Sequence, residues 1–333
     1  MPELRVDPLT GLKVIVASDR AERPGGGLDL SAPQADEASA PEDDPFLEGR
    51  EAETPPELAA WGTREGRVPD TPGWKVRAVP NRFPALTAEP AGPSRGAHPD
   101  PQLFVAGPAL GAHEVVVNAP HAATTLAALT PGQLALAMDA WRDRIAEHAG
   151  TARCVHLSVN EGAAGGASLP HTHAQLFALD FVPAAVARER ERFGAYATRT
   201  MGGNLLADVL QEEVRLRERI VAIDDEAVLL APYASQLPFQ LMLVPRRARP
   251  SFETEGPTGA ALLHDGLNRL ARRLGGSPPL NLWIRTAPAG AERFCWRIDV
   301  LPRLHPLAGL ELGTGVNLNV LAPETAAAEL RAH

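Results

Sequence analysis

The sequence predicts an α+β fold made of two related halves, each an antiparallel sheet with packed helices. Short apolar or alternating segments, typical of strands, are interspersed with longer segments that have the apolar spacing of helices. This order of segments occurs twice along the 333 residues. We place the boundary at residue 180, which gives an N-terminal half of residues 1–180 and a C-terminal half of residues 181–333.

The first half is predicted to contain one long helix and several strands. Its helix starts at Thr130, a good N-cap residue, with Pro131 at the first helical position and apolar residues recurring through Trp141 and Ile145. The strands, identified by their β-branched, apolar or alternating residues, span 14–18, 76–79, 113–118, 155–159 and 172–179.

The second half repeats this pattern. Its predicted helices span 183–197, 202–223 and 256–274. Its predicted strands span 227–230, 240–245, 280–285 and 295–301.

Two segments have the composition of surface loops. Residues 24–57 are rich in Pro, Gly, Ala, Asp and Glu, so a mobile loop is expected over much of this segment. Residues 89–102 carry four prolines and two glycines.

The composition excludes several classes of protein. A net charge of -9 argues against a nucleic-acid surface, although a nucleotide needs only a local cationic pocket. No apolar run is long enough to span a membrane, and the N-terminus lacks a signal-peptide pattern. Cys154 and Cys295 are too far apart in sequence to suggest a disulfide framework, so we expect a cytoplasmic protein.

The most informative stretch is the glycine-rich segment 159–175, which ends in two alternating histidines and a glutamine. In a strand, His171, His173 and Gln175 share one face. The small residues before them let a phosphate approach backbone N–H groups. Two alternating histidines alone are more often ordinary strand residues or metal ligands. The whole pattern indicates a histidine that attacks phosphorus.

This segment resembles the active-site segment of the galactose-1-phosphate uridylyltransferase family, a branch of the histidine-triad superfamily. The positions that match the family pattern are Asn160, Gly162, Ala163, Ala164, Gly166, Ser168, Pro170, His171, His173 and Gln175. Segments 7–24, 74–86, 113–121 and 301–316 resemble further motifs of the family in the same order. The resemblance implies two histidine-triad-like halves, with the nucleophile in the first.

The resemblance also implies a two-step reaction through a nucleotidyl-histidine at His173. A nucleotide sugar such as UDP-glucose would donate the nucleotidyl group, and a hexose 1-phosphate would accept it. The implied catalytic residues are His173, Gln175, Ser168 and His171, and the implied nucleotide-binding residues are Arg20, Arg23, Asn81, Asn160 and Gly166. A nucleophilic imidazole nitrogen needs an acceptor for the other ring nitrogen, and the sequence does not identify that acceptor.

The chain departs from the family at a structural zinc site. Many members carry Cys-Pro-x-Cys where this chain has Asp44, Pro45, Phe46 and Leu47. Leucine cannot bind zinc, so only Asp44, His121 and His171 remain as candidate ligands. We expect no tight structural zinc, and a weak site of these three residues is the alternative.

A second metal site of the family is also altered. Its glutamate position matches Glu189, whereas its histidine positions align with Arg285, Cys295 and Arg297. Arginine does not bind metals, so we hypothesise that arginine replaces the metal's charge and pairs with Glu189. The alternative is that Glu189 is exposed on a charged helix.

The residues expected to bind the acceptor also differ from the family pattern. Asn317 stands where the family usually has an aromatic residue, whereas Glu311 is retained. Both are candidate ligands of the sugar phosphate, and the identity of the second substrate stays open. The resemblance further implies a homodimer whose sites borrow residues across the interface.

Several functions fit these residues. The leading interpretation is a uridylyltransferase that exchanges UMP between UDP-glucose and a hexose 1-phosphate. A related phosphorylase or adenylyltransferase would keep the covalent step but use another donor. Hydrolysis ranks lower, because the hydrolase branch usually has a third histidine where this chain has Gln175. A non-catalytic nucleotide-sugar-binding protein is the interpretation from a different class.

Overall fold

The computed structural model describes residues 2–18, 20, 44–89, 103–104, 106–254 and 259–333. Its helices are α1 (Pro131–Ala149), α2 (Ala184–Arg199), α3 (Leu205–Leu216), α4 (Ala260–Leu274), α5 (Gly309–Thr314) and α6 (Pro323–Arg331). Its strands are β1 (Glu3–Val6), β2 (Lys13–Val16), β3 (Ala59–Trp61), β4 (Val76–Pro80), β5 (Gly111–Val117), β6 (Cys154–Glu161), β7 (His173–Leu179), β8 (Ile220–Ile223), β9 (Ala227–Leu230), β10 (Leu241–Pro245), β11 (Leu280–Arg285), β12 (Arg297–Pro302) and β13 (Asn317–Asn319).

Ten strands form one antiparallel sheet in the order β3-β4-β5-β7-β6-β11-β12-β10-β9-β8. The order is symmetric about the pairing of β6 with β11, because each half contributes five strands in the same relative positions. Helix α1 precedes β6 in the chain, and α4 precedes β11 in the same way. The predicted α+β fold of two related halves, each an antiparallel sheet with packed helices, is confirmed.

Helices α1 and α4 cover one face of this sheet. In α1 the Thr130 hydroxyl accepts a hydrogen bond from the Gln133 N–H (3.2 Å), which caps the first turn as its sequence predicts. Leu134, Met138 and Trp141 recur at helical spacing and are fully buried. They pack with Leu176 and other residues from the same face of the central strands to form the main core.

The opposite face carries the polar residues. Gln175 on β7 pairs in register with Ser158 on β6, which pairs with Trp283 on β11, and Trp283 with Asp299 on β12. Helices α2 and α3 cover only the β9, β10 and β12 end of this face. The side chains of β6 and β11 on this face stay half-buried, so the middle of the sheet is an open polar surface.

Two predictions made from sequence, a helix over 202–223 and a loop over 24–57, need correction. Helix α3 ends at Leu216, and residues 220–223 of the predicted helix form β8, because β-branched residues there pair with β9. In the loop predicted over 24–57, residues 44–57 lie against the sheet with Asp44, Phe46 and Glu51 buried, and 24–43 lie outside the described residues.

A second, three-stranded sheet has the order β1-β2-β13. Strand β13 pairs in parallel with β2, so residues near the two ends of the chain meet in one sheet. The domain boundary at residue 180 therefore stays a prediction. Among the described helices, none combines the length and apolar character needed to cross a bilayer.

Candidate active site

His173 is the first residue of β7 and faces the open polar side of the sheet. Its Nδ1 lies 2.7 Å from the main-chain oxygen of His171, and the Nδ1–H donates to this carbonyl. The Nε2 atom has no hydrogen-bond partner among the described residues. Burial lowers the pKa of His173 below its usual value, which keeps the ring neutral near pH 7. The structure thus supplies the acceptor that the sequence left unidentified, and it leaves Nε2 as a neutral nucleophile.

His171 lies behind the nucleophile and is fully buried at its side chain. Its Nδ1 is 2.7 Å from Asp44 Oδ2, and its Nε2 is 2.9 Å from the main-chain oxygen of Ala119. Phe46, two residues after Asp44, packs against the His173 ring, with the ring centroids 5.2 Å apart. The hydrogen bond between His171 and Asp44 therefore holds the segment that begins at Asp44 next to the start of β7, beside His173.

These contacts do not suit a zinc site. Both ring nitrogens of His171 face protein acceptors, and His121 is exposed. Within the residues that the structure describes, no cluster of three His, Cys, Asp or Glu side chains has metal-binding geometry. The candidate ligands Asp44, His121 and His171 do not fit the family's zinc.

Gln175 lies two residues after His173, on the same face of β7. Its Oε1 is 3.2 Å from Nε2 of His113 on β5. Asn81, which follows β4, has its amide nitrogen 3.1 Å from the same ring atom. The structure therefore brings Asn81 and Gln175 to the same atom of His113, which was not among the site residues predicted from sequence.

The glycine-rich loop after β6 packs tightly against β11. A Cβ atom on Gly165 would lie 2.6 Å from the main-chain oxygen of Leu280, so a side chain does not fit there. Gly162 has φ of 69°, in the region that favours glycine, and a Cβ there would meet Pro279 at 2.9 Å. These two positions explain why the segment before the histidines is rich in glycine.

Asn281 holds this loop in place and was missed from sequence. Its amide nitrogen donates to Asn160 Oδ1 (2.8 Å) and to the main-chain oxygen of Gly165 (2.6 Å). Arg303 in turn donates to Asn281 Oδ1 (3.1 Å). The sequence of β11 could have identified it. Buried and half-buried residues alternate in Leu-Asn-Leu-Trp-Ile-Arg, which places Asn281 on the polar face.

The other predicted site residues make no hydrogen bond to His173 among the described residues. Ser168 and Gly166 are exposed on the glycine-rich loop. Arg20 is exposed after β2, and Arg23 lies outside the described residues. Glu311 is on α5 and the buried Asn317 is on β13, in the small sheet.

That small sheet packs near the far end of the large one. Asn319 on β13 donates from Nδ2 to the main-chain oxygens of Ser235 (2.9 Å) and Leu237 (3.3 Å), between β9 and β10. Strand β9 is five positions from β7 in the sheet, which corresponds to roughly 24 Å. Within the described parts of one chain, Arg20, Glu311 and Asn317 therefore make no contact with His173.

Glu161 is a buried acid at the base of the glycine-rich loop. Its Oε1 accepts a hydrogen bond from the Leu126 N–H (2.5 Å) and lies 3.5 Å from the Thr172 hydroxyl. Burial raises the pKa of this carboxyl to about 8. The residue is thus neutral at pH 7, and it ties the loop to the strand that carries the nucleophile.

The Glu161→Gln variant is expected to be less sensitive to pH than the wild type. A folded-state pKa above the unfolded value means that the carboxyl's contribution to stability is complete at acid pH and is lost as pH rises toward about 8. As the pH rises from 5 to 8, the wild type should therefore lose a few kcal/mol in the free energy of unfolding that the variant does not lose. Urea unfolding across this range measures the difference.

Glu114 provides the matched control for that experiment. Burial raises the pKa of its carboxyl, but hydrogen bonds from His148 and Arg144 outweigh burial and hold it below the usual value. The Glu114→Gln variant should lose stability at pH 7 instead of gaining it. A Glu161→Gln variant with the same pH dependence as the wild type would contradict a neutral Glu161.

Glu189 on α2 is 1% exposed and pairs with two arginines. Its carboxylate lies 3.2 Å from Arg285 Nε and 2.9 Å from Arg297 Nη1. Arg297 Nε also lies 3.0 Å from Asp299 Oδ2. The predicted pairing of Glu189 with arginine is confirmed, and the alternative of an exposed Glu189 is wrong. That the arginines replace the charge of a metal stays a hypothesis.

Comparison with known proteins agrees with this site. The family described as "Galactose-1-phosphate uridyl transferase, N-terminal domain" matches residues 1–183. The chain belongs to this family. The match includes the glycine-rich loop, His171, His173 and Gln175.

Relatives of known activity extend over the rest of the chain. An ADP-glucose phosphorylase from Arabidopsis thaliana is 30% identical over 343 residues, which covers 99% of this chain and 92% of that protein. A galactose-1-phosphate uridylyltransferase from Cryptococcus neoformans is 29% identical and covers 85% of this chain and 74% of that protein.

A solved structure resembles the whole fold. The crystal structure of an ADP-glucose phosphorylase from Arabidopsis thaliana with bound ADP-glucose superposes with a TM-score of 0.80 at 27% identity, covering 100% of this chain and 99% of that one. The chain is thus an enzyme, a nucleotidyltransferase of the galactose-1-phosphate uridylyltransferase family.

Proposed function

We propose that the protein transfers a nucleoside monophosphate from a nucleotide sugar to a phosphate acceptor through a covalent intermediate on His173. The observation that carries this proposal is the hydrogen bond from His173 Nδ1 to the His171 carbonyl, which leaves a neutral Nε2 for attack. A non-catalytic binding protein has no need of this arrangement.

The two steps exchange bonds at one phosphorus atom. In the first, His173 Nε2 attacks the α-phosphorus, an N–P bond forms, and the P–O bond to the sugar 1-phosphate breaks. The sugar 1-phosphate leaves with the bonding electron pair, while the proton stays on Nδ1, hydrogen-bonded to the His171 carbonyl. In the second, an acceptor phosphate oxygen attacks the phosphorus, and the imidazole is released. Gln175 and the loop N–H groups stabilise the negative charge on the non-bridging oxygens in both steps.

We assign UDP-glucose and a hexose 1-phosphate as the donor and acceptor, because the segment from Asn160 to Gln175 resembles the active-site pattern of the family's uridylyltransferases. A second pair, ADP-glucose and inorganic phosphate, is favoured by one specific observation. The Arabidopsis ADP-glucose phosphorylase matches nearly the full length of this chain, including its C-terminal part. Both pairs use the same covalent step at His173.

We further propose that the active form is a homodimer. Arg20, Glu311 and Asn317 lie far from the His173 of their own chain, which supports their serving the site of a second copy. The open polar face over β6 and β11 leaves room for such a contribution. The buried cysteines, Cys154 and Cys295, are both free thiols, in keeping with the reducing cytoplasm that we propose as the compartment.

Intact-protein mass spectrometry tests the proposed function directly. The wild-type protein is incubated separately with UDP-glucose, ADP-glucose and ATP. A uridylyl adduct that galactose 1-phosphate removes supports the first donor and acceptor pair. An adenylyl adduct from ADP-glucose that phosphate removes supports the second. Nucleotide binding without an adduct from any donor would contradict nucleotidyl transfer.

A further inference from the structure

His113 on β5 connects Gln175 to the loop that follows β4. Its Nδ1 accepts a hydrogen bond from the Ala85 N–H (3.1 Å), and its Nε2 lies 3.2 Å from Gln175 Oε1. Its ring stacks on Phe177, two residues after Gln175, with the ring centroids 4.1 Å apart. The imidazole is thus held on three sides, and it is 9% exposed.

These contacts determine which ring nitrogen carries the proton. A main-chain N–H can only donate, so Nδ1 must accept from Ala85 and must be unprotonated. Burial lowers the pKa of His113, which favours this neutral ring at pH 7. The single ring proton therefore lies on Nε2.

Among the described residues, one acceptor is available to that proton. The Asn81 amide nitrogen, 3.1 Å from Nε2, can only donate, so it makes no hydrogen bond to the ring in this tautomer. Asn81 Oδ1 already accepts from the Phe83 N–H (2.9 Å). Gln175 Oε1 is the acceptor that remains. The Gln175 amide therefore presents its oxygen to His113, since the opposite orientation would leave the buried Nε2 proton without an acceptor among the described residues.

This orientation leaves the Gln175 NH₂ group free. It has no hydrogen-bond partner among the described residues, and it belongs to the side chain that shares a strand face with His173. An NH₂ group stabilises the anionic oxygens of a phosphoryl group, whereas the carbonyl oxygen of a rotated amide would repel them.

We propose that His113 is a positioning residue that sets the orientation of the Gln175 amide for phosphoryl transfer. The inference rests on the proposed function, because Gln175 acts on the nucleotide phosphate only in that reaction. His113 itself touches no reacting atom, and its effect passes entirely through Gln175.

Two amide substitutions separate the two hydrogen bonds of His113. The side chain of asparagine reaches about as far as Nδ1, so His113→Asn retains an acceptor for Ala85 and loses the donor to Gln175. The side chain of glutamine reaches about as far as Nε2, so His113→Gln retains that donor. We expect His113→Asn to slow the formation of nucleotidyl-His173 by about 10- to 100-fold at saturating donor, below the effect of losing a whole transition-state donor. We expect His113→Gln to stay within about threefold of the wild type, since it retains that donor.

His156 on β6 is the matched control. It pairs in register with Phe177 from the other side, as His113 does from β5, and it makes no hydrogen bond among the described residues. The His156→Asn variant should form the adduct at the wild-type rate. Rapid-quench mass spectrometry gives the rates, and calorimetric titration gives the donor affinity, which should change little in any of these variants.

The double variant His113→Asn/Gln175→Ala tests the route of the effect. If His113 acts through Gln175, the double variant should be no more than about twofold slower than Gln175→Ala alone. A multiplicative loss, or equal losses in His113→Asn and His156→Asn, would overturn the positioning role. A wild-type protein that no donor labels would overturn the proposed function, and the role of His113 with it. A labelled wild type with an unimpaired His113→Asn variant would overturn only the role of His113.

Discussion

Replacing His173 with alanine is expected to abolish the covalent adduct with every donor and to lower turnover on the order of 10⁴-fold or more. His173 Nε2 supplies the nitrogen of the N–P bond, and neither His113 nor His171 is free to replace it. His113 is held by Ala85 and Gln175, and His171 by Asp44 and Ala119. Mass spectrometry and steady-state kinetics on the same preparation measure both effects.

The Gln175→Ala variant is the control for this experiment. It keeps the nucleophile and loses one donor to the phosphate, so the adduct should form about 10²- to 10³-fold more slowly but reach full occupancy. An adduct that persists in the His173→Ala variant would place the nucleophile elsewhere and contradict the assignment.

The pH dependence of adduct formation follows from the same residue. Only the unprotonated ring attacks phosphorus, and burial holds the pKa of His173 below its usual value. The rate should therefore stay near its maximum at pH 6.5 and fall only at lower pH. A rate that is already halved at pH 6.5 would indicate a nucleophile that is not desolvated. Stopped-time mass spectrometry over pH 5 to 8 makes the measurement.

Local patterns predicted most of the fold. Helix α1 begins at Thr130 and Pro131 as expected, because the N-cap residue and the proline that mark its start are adjacent in sequence. The error at 220–223 arose where the apolar pattern of α3 continues into β8, and only pairing with β9 decides between helix and strand. Strand β13 pairs with β2, some 300 residues earlier, and no local signal in the sequence reveals a partner at that separation.

The candidate site shows the same division between local and distant information. His173 and Gln175 follow from their alternation on one strand. The acceptor for His173 Nδ1 is a main-chain carbonyl, and every residue carries one, so the sequence could not identify it. Asn281 and His113 reach the site from other strands, and only the register of β11 with β6 and of β5 with β7 brings them close.

The charges around Glu189 balance one another within a buried cluster. Two carboxylates, Glu189 and Asp299, face two guanidinium groups, Arg285 and Arg297, so the buried cluster is electrically neutral. A buried carboxylate without a partner would be costly, because it would lose its hydration without compensation. The two arginines therefore compensate the charge of the buried Glu189 carboxylate.

The Glu189→Gln variant is accordingly expected to lose about 3 kcal/mol in the free energy of unfolding. The amide keeps the size of the side chain but removes its charge, which leaves two buried arginines facing one carboxylate. The Glu212→Gln variant is the control, because Glu212 forms the same kind of pair with Arg215 on the exposed surface. It should unfold at the wild-type urea concentration, since solvent screens that pair. Equal stability of Glu189→Gln and wild type would contradict the compensation. So would a wild type that a chelator destabilises, because the cluster would then depend on a metal after all.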